Sequence, residues 1–303
     1  MEGEMHMATL SKKIDFAVTM SVKNANPNGD PLNGNRPRTD YDGLGEITDV
    51  CLKRKIRDRM MERYVELKKE GKEKGHGVFV QSDDRKYDDF KSLKSRAEAE
   101  LGKDLGSDAI VKKACEAWID VRAFGQLFAF KTDKKGKKKA ETESEGDTGV
   151  SRGIRGPVTI QSAFSVKPVS VSSTQITKSV NAEETKDNKR GSDTMGMKHR
   201  VDSGVYVTYG SMNPQLAERT GFTDEDAAII KAILPRLFEN DASSARPEGS
   251  MAVRKVIWWE HKPGKVGQYS SAKVHKTLTV NADGSHSFAT NLDGLKPQEI
   301  DGF

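Results

Sequence analysis

Alternation of apolar and polar residues marks the first element of the chain. In residues 13–23, KIDFAVTMSVK, Ile14, Phe16, Val18, Met20 and Val22 share one side, which predicts a strand with one face on a core. The pattern breaks at Asn24, and residues 24–45 are crowded with Asn, Pro, Gly and Asp, the residues that form turns. Period two then gives way to a helical spacing over residues 47–69. Thr48 or Asp49 is placed to cap that helix, and Leu52, Ile56, Met60 and Tyr64 form its buried stripe.

Further along, GVFV (77–80) predicts a short strand and residues 83–117 a helical region. WIDVRAFGQLFAF (118–130) alternates and predicts a strand, with a bulge where a glycine follows Phe124. Strands are expected again over 156–171, over 201–213 with Val205, Val207 and Tyr209 alternating, and over 251–260. Residues 223–240 read as a helix with an acidic first turn at Thr223 and Asp226, kinked or ended by Pro235. A basic loop (261–276) leads to TLTV and SHSFAT, a hairpin about an Asp-Gly turn. Two polar stretches interrupt this order. Residues 131–149, basic then acidic, read as an exposed mobile loop, and residues 172–200 are too long for an ordinary connection, so they read as an excursion from the body. Strands intermixed with helices favour an α+β fold over a doubly wound parallel sheet.

Composition narrows the function classes. The chain has 303 residues, 35% hydrophobic and 31% charged, with mean hydropathy −0.69: one large domain with insertions or two small ones, much of it solvated. A net charge of +5 and a pI near 8.9 hide local basic clusters and are compatible with a polyanionic partner. Cys51 and Cys115, each in an apolar-periodic segment, read as core thiols of a reducing compartment, here the cytoplasm. Six scattered histidines without CxxC or HxxxH leave no zinc site to draw. No run of about 18 apolar residues predicts a membrane span. MEGEMHMATL lacks the regions of a signal peptide, and residues 1–11 read as a disordered or cloning-derived start.

Three basic loci are candidates for chemistry. Arg36 and Arg38 leave the turn-rich loop, and the following helix crowds five basic residues into positions 53–59; Lys53, Arg54 and Arg57 flank its apolar stripe. They form either a phosphate grip or a solvated charged face. Arg152 and Arg155 alternate with Gly153 and Gly156, either for close backbone approach to a ligand or as a turn with exposed arginines. Met195 and Met197 precede Lys198, His199 and Arg200 on a polar stretch, which suits insertion between bases with phosphates alongside, or packing under a loop. Neither GxxxxGK[ST] nor GxGxxG follows a strand. Asp30, Asp40 and Asp42 are placed for metal binding or for turn chemistry, and turn chemistry is the stronger reading in so turn-rich a segment. Ser162 and Ser165 have no base partner in sequence.

The opening strand, NANPNGDPLNGNRPR, ITDVCLKRKIRD, DVRAFG, RGPVTIQSA and HRVDSGVYV, in this order, resemble the crRNA-binding backbone subunit of CRISPR Cascade, the RAMP-type Cas-seven family, with type I-C systems the closest variant. The resemblance spans residues 12–290. It implies a ferredoxin-like (RRM-like) palm from residues 12–75, 118–171 and 201–303, a helical fingers insertion over 76–117 and a thumb hairpin over 172–200. It also implies a head-to-tail helical filament along crRNA, pairing of the guide with target DNA, and further partners in the crRNA-end-binding, large and small Cascade subunits. Lys53, Arg54 and Arg57 match the family's phosphate-gripping positions, Arg36 and Arg38 its basic loop, and Met195 and Met197 its apolar thumb tip in character. No cofactor and no catalysis are implied. The alternative is a metal-dependent ribonuclease, since type III relatives cut RNA through an aspartate after the first strand and Asp30 lies in that region.

Overall fold

β1 (Lys12–Ala25) is the central strand of a large antiparallel sheet. The computed structural model describes residues 8–102, 109–129, 151–179, 195–289 and 292–303. Strand β10 (Met195–Met212) pairs with one side of β1 and β11 (Met251–Pro263) with the other. β14 (Pro297–Asp301) extends the sheet beyond β11. β8 (Ala163–Pro168) and β4 (Leu44–Ile47) extend it beyond β10. β7 (Val158–Ile160) and β9 (Val171–Thr177) also pair with β10, at its two ends.

The alternating face of β1 meets the main core. Phe16, Val18, Met20 and Val22 pack with Leu52, Ile56 and Met60 of α1 (Asp49–Lys69) and with Ile229 and Ile230 of α6 (Asp224–Ile233). Phe16 stacks on Trp258 with ring centroids 5.7 Å apart. Across the ladder from Phe16 lies Gly210, where an added Cβ would sit 2.2 Å from the Phe16 ring and 2.6 Å from the Thr159 carbonyl oxygen.

The opposite face of β1, which alternation assigns to solvent, is also buried over Asp15, Ala17 and Thr19. Ala17 packs with Ile257, Trp259, Val274 and Leu278 under α7 (Ser271–His275) and the hairpin of β12 (Leu278–Val280) and β13 (His286–Phe288). Asp15 is tolerated there because its carboxylate is hydrogen-bonded by His261 at 2.8 Å and paired with Lys13 at 3.1 Å. The Gln268 N–H donates to His261 Nδ1, so the ring proton sits on Nε2 and points at Asp15.

A second core joins Phe79, Leu101, Ile110, Cys115, Trp118, Val121 and Phe128. It lies among α2 (Leu93–Leu101), α3 (Ala109–Ala117) and the hairpin of β5 (Gly125–Ala129) and β6 (Ser151–Arg155). One expected strand fails here, and the strand expected over 118–130 holds only in its second half, as β5. Residues 77–80 make a single bridge, Gly77 to Trp118, and the Phe79 and Val80 N–H groups bond the Asp120 carboxylate instead. Residues 119–124 form the short helix α4 (Ile119–Phe124), ended by Gly125 at φ 79° rather than by a bulge. Alternation misleads because both polar positions, Asp120 and Arg122, are buried in ion pairs.

Other expectations hold with finer boundaries. Thr48 caps α1, and Thr223 and Asp226 form a reciprocal capping box on α6, which ends at the 3₁₀ turn Leu234–Arg236 containing Pro235. The strand expected over 156–171 is divided into β7 and β8. A further helix, α5 (Pro214–Thr220), has Asn213 as cap, Pro214 in its first turn and Gly221 in αL after it, signals legible in sequence but unread. Cys51 and Cys115 are free thiols, half-buried and buried, and burial raises the Cys115 thiol to about 11. Residues 131–149, expected as a loop, and residues 1–7 lie outside the described residues, whereas Leu10, within the start expected to be disordered, is buried in the main core and donates its N–H to the Phe222 carbonyl. No helix among the described residues is long and apolar enough to cross a membrane.

Replacing Gly210 with alanine is expected to cost about 1–3 kcal/mol through overpacking against Phe16. Urea unfolding measures it, and a loss below about 0.5 kcal/mol would show that the Phe16 ring moves freely aside.

Candidate nucleic-acid interface

The joint between loop and basic helix is tightly made. Thr48 donates its N–H and its hydroxyl to Asn28 Oδ1, at 3.0 and 2.9 Å, and accepts from the Cys51 N–H. In the loop, β2 (Gly29–Asp30) pairs with β3 (Arg36–Pro37). The acids of this segment do turn chemistry. Asp30 accepts from the Leu32 N–H and pairs with Arg38 at 3.2 Å. Asp40 Oδ1 accepts from the N–H groups of Asp42 and Leu44, at 3.0 and 2.8 Å. No group of three metal-ligating side chains occurs among the described residues.

The basic run on α1 is mostly matched by acids of the same chain. Lys53 pairs with Asp49 at 2.9 Å, and Arg54, half exposed, reaches Asp84 at 3.3 Å. Arg57 is largely buried, with Nε 2.9 Å from Asp120 and its guanidinium over the Phe124 ring. The other two basic residues of the run, Lys55 and Arg59, are buried against Asp241 and Glu62. Burial depresses the Lys55 ammonium, against the pull of Asp241. Of the three residues expected at this site, Lys53 and Arg54 therefore keep some exposure, and Arg57 holds the fold.

The excursion forms an antiparallel ribbon at its two described ends. β9 and β10 pair from Thr177 with Met195 to Val171 with Val201; residues 180–194 lie outside the described residues. Because side chains alternate along a strand, Met195, Met197 and His199 fall on one face and Lys198 and Arg200 on the other. The sequence reading had placed methionines and cations side by side, and the pleat separates them. Met195 and Met197 are 63% and 54% exposed, too open for core residues. His199 Nδ1 lies 2.8 Å from the Ser173 hydroxyl. Lys198 and Arg200 are exposed and make no ion pair among the described residues.

Lys23, at the root of the ribbon, is also exposed and without an ion pair among the described residues, and it pairs across the ladder with Ser203. Sequence reasoning passed over it, although a cation at the end of a core strand before a turn-rich loop was a usable signal. Arg36 is half-buried, on a strand that packs near β10. Arg152 and Arg155 sit on β6, beside the second core. Gly156 there serves internal packing: an added Cβ would lie 2.3 Å from the Ala123 carbonyl oxygen. Arg155 is exposed.

A family model described as CRISPR-associated protein Cas7 matches residues 12–296. A curated CRISPR-associated protein Cas7 of Haloferax volcanii is 25% identical over 293 residues, 95% of this chain and 80% of that protein. Among solved structures, a chain of a "CRISPR RNA-guided surveillance complex, pre-nicking" is similar at TM-score 0.43 and 18% identity, over 82% of this chain and 78% of that one. A chain of a "CRISPR RNA-guided surveillance complex" is similar at TM-score 0.38 and 18% identity, over 90% and 77%.

Arg57→Ala is expected to cost about 3–5 kcal/mol in urea unfolding, because it leaves the buried Asp120 unpaired. Arg54→Ala should change stability by less than about 0.5 kcal/mol. Equal losses for the two would refute the division between fold and surface.

Proposed function

This chain belongs to the CRISPR-associated Cas7 family, and on that premise we propose that it is a crRNA-binding backbone subunit of a CRISPR surveillance complex. In this reading several copies assemble head to tail on one guide in a type I complex of the I-C kind. They hold its backbone and leave its bases free to pair with target DNA, beside crRNA-end-binding, large and small subunits. The palm, fingers and thumb of the family would be residues 12–75 with 118–171 and 201–303, residues 76–117, and residues 172–200.

The observation that carries the reading is the contrast between two sets of cations. Those of α1 are largely neutralised within the chain, whereas Lys23, Lys198 and Arg200 stand exposed on and beside the ribbon without ion pairs among the described residues. Phosphate contacts position a nucleic acid without reading its sequence, which is what a holder of variable guides needs. Lys198, Arg200 and Lys23 become the main phosphate contacts, with Arg36, Arg38, Lys53, Arg54, Arg152 and Arg155 lining the approach. Met195, Met197 and His199, on the other face of the ribbon, contact bases.

The protein is read as non-catalytic. Asp30, the residue a ribonuclease reading would use, is engaged by Arg38 and by the Leu32 N–H.

Replacing both Lys198 and Arg200 with alanine should weaken RNA binding about equally for unrelated guide sequences. It should also reduce the slope of log K against log salt by about 1.4, at about 0.7 per contact on a single strand. Fluorescence anisotropy across a salt series measures this, and a loss confined to particular sequences refutes the backbone grip. With magnesium present, wild type and Asp30→Ala should leave RNA equally intact. Fragments from wild type alone would favour the ribonuclease.

A further inference from the structure

The most exposed aromatic side chain among the large exposed hydrophobics is Tyr41, fully open to solvent between Asp40 and Asp42. Its turn is rigid: Asp40 holds two N–H groups, a bridge joins Thr39 to Gly45, and Gly43 takes φ 77°. Leu44 pairs with Pro168, and through β8 and β10 this puts the turn close to the level of Lys23, at the C-terminal end of β1.

The loop after β11 stands at the other end of β1. The Gly264 N–H bonds the Ser11 carbonyl, and Lys12 pairs with Pro263. This loop exposes Val266 at 75%, with Lys262 beside it on the surface and Lys265 paired with Glu218 at 2.8 Å. It too is built before any partner arrives, since Gln268 bonds His261 Nδ1, the Lys262 N–H and the Asp293 and Gly294 carbonyls. The 14 residues of β1 separate the two ends by about 43 Å, at about 3.3 Å per residue.

We infer that the acidic Tyr41 turn of one copy docks onto the basic Val266 loop of the next copy, which rests on the proposed assembly of copies along RNA. The chemistries match: an aromatic ring between carboxylates meets an exposed aliphatic side chain on a loop that carries Lys262, whose stem packs on the ring and whose charge faces Asp42. The same carboxylates argue against RNA as the occupant, because they would repel its phosphates. Two unlike surfaces at opposite ends of one molecule make a heterologous contact that does not close on itself, so copies add in a row. Both patches are small, so the contact is too weak to assemble free protein and acts when a shared RNA raises the effective concentration.

Mass photometry on an RNA long enough for several copies, and anisotropy on one that holds a single copy, test the contact. Tyr41→Ala is expected to reduce cooperative loading of the long RNA by about tenfold or more, as for an aromatic anchor, while single-copy binding stays unchanged. Asp42→Lys alone and Lys262→Asp alone should each reduce loading by about tenfold, and together they should restore it. Loading of all variants like wild type overturns the docking while leaving the functional reading intact. Weaker single-copy binding by Tyr41→Ala also overturns it, because Tyr41 would then touch RNA. A wild-type protein that binds neither RNA defeats the functional reading itself.

Discussion

Two buried charges on α4, Asp120 and Arg122, hold the two cores of this protein together. Asp120 accepts the N–H groups of Phe79 and Val80 and the guanidinium of Arg57, so one carboxylate joins the second core to α1. Arg122 forks onto Asp226 at 2.7 and 2.8 Å and reaches the carbonyls of Gly75 and Cys115, which joins α3 and the preceding loop to α6. The helix between them is shared in the same way: Ile119 and Ala123 pack in the main core, Val121 in the second. Charges taken out of water are expensive, and such pairs are tolerated when every donor and acceptor is answered, as these are. The Asp226 carboxylate also closes the capping box of α6, so one side chain both starts a helix and receives the arginine.

This arrangement explains where the charge of α1 goes. A helix that lies against two cores cannot send every basic residue to solvent, and Lys55, Arg57 and Arg59 each meet an acid on another element or turn. Their attraction to a polyanion is largely offset inside the chain. Lys198 and Arg200 on the β9–β10 ribbon and Lys23 at the end of β1 stand exposed instead, without ion pairs among the described residues, on strands continuous with the sheet. The backbone that carries such a cation is fixed by the sheet, which suits the proposed role of holding a phosphate chain in register.

The central sheet was largely legible. β1, β10, β11, α1 and α6 follow from period and caps: the apolar residues that the pattern picks out in β1, and Leu52, Ile56 and Met60 in α1, face the main core, whereas in β10 the alternating Val205, Val207 and Tyr209 lie on the other face and Tyr206 enters the core. The failures share a cause. Asp15 in β1 and Asp120 and Arg122 in α4 look like solvent positions by type, yet each is buried by a partner distant in the chain: His261, Arg57 and Asp226. The candidate site suffered from the same blindness. Lys53, Arg54 and Arg57 read as equals in sequence, but only the fold brings Asp120 to Arg57 and leaves Arg54 half exposed.

The amino-acid order by itself therefore determined β1, β10, β11, α1 and α6, the capping of α1 and α6, the turn chemistry of Asp30 and Asp40, and the motifs that mark the family. Each of these depends on residues within a few positions of one another. Only the tertiary structure decided which basic residues stay free and that residues 119–124 form a helix. Those outcomes depend on pairs such as Arg122 with Asp226, more than a hundred positions apart, and no local pattern records which charge a distant carboxylate will meet.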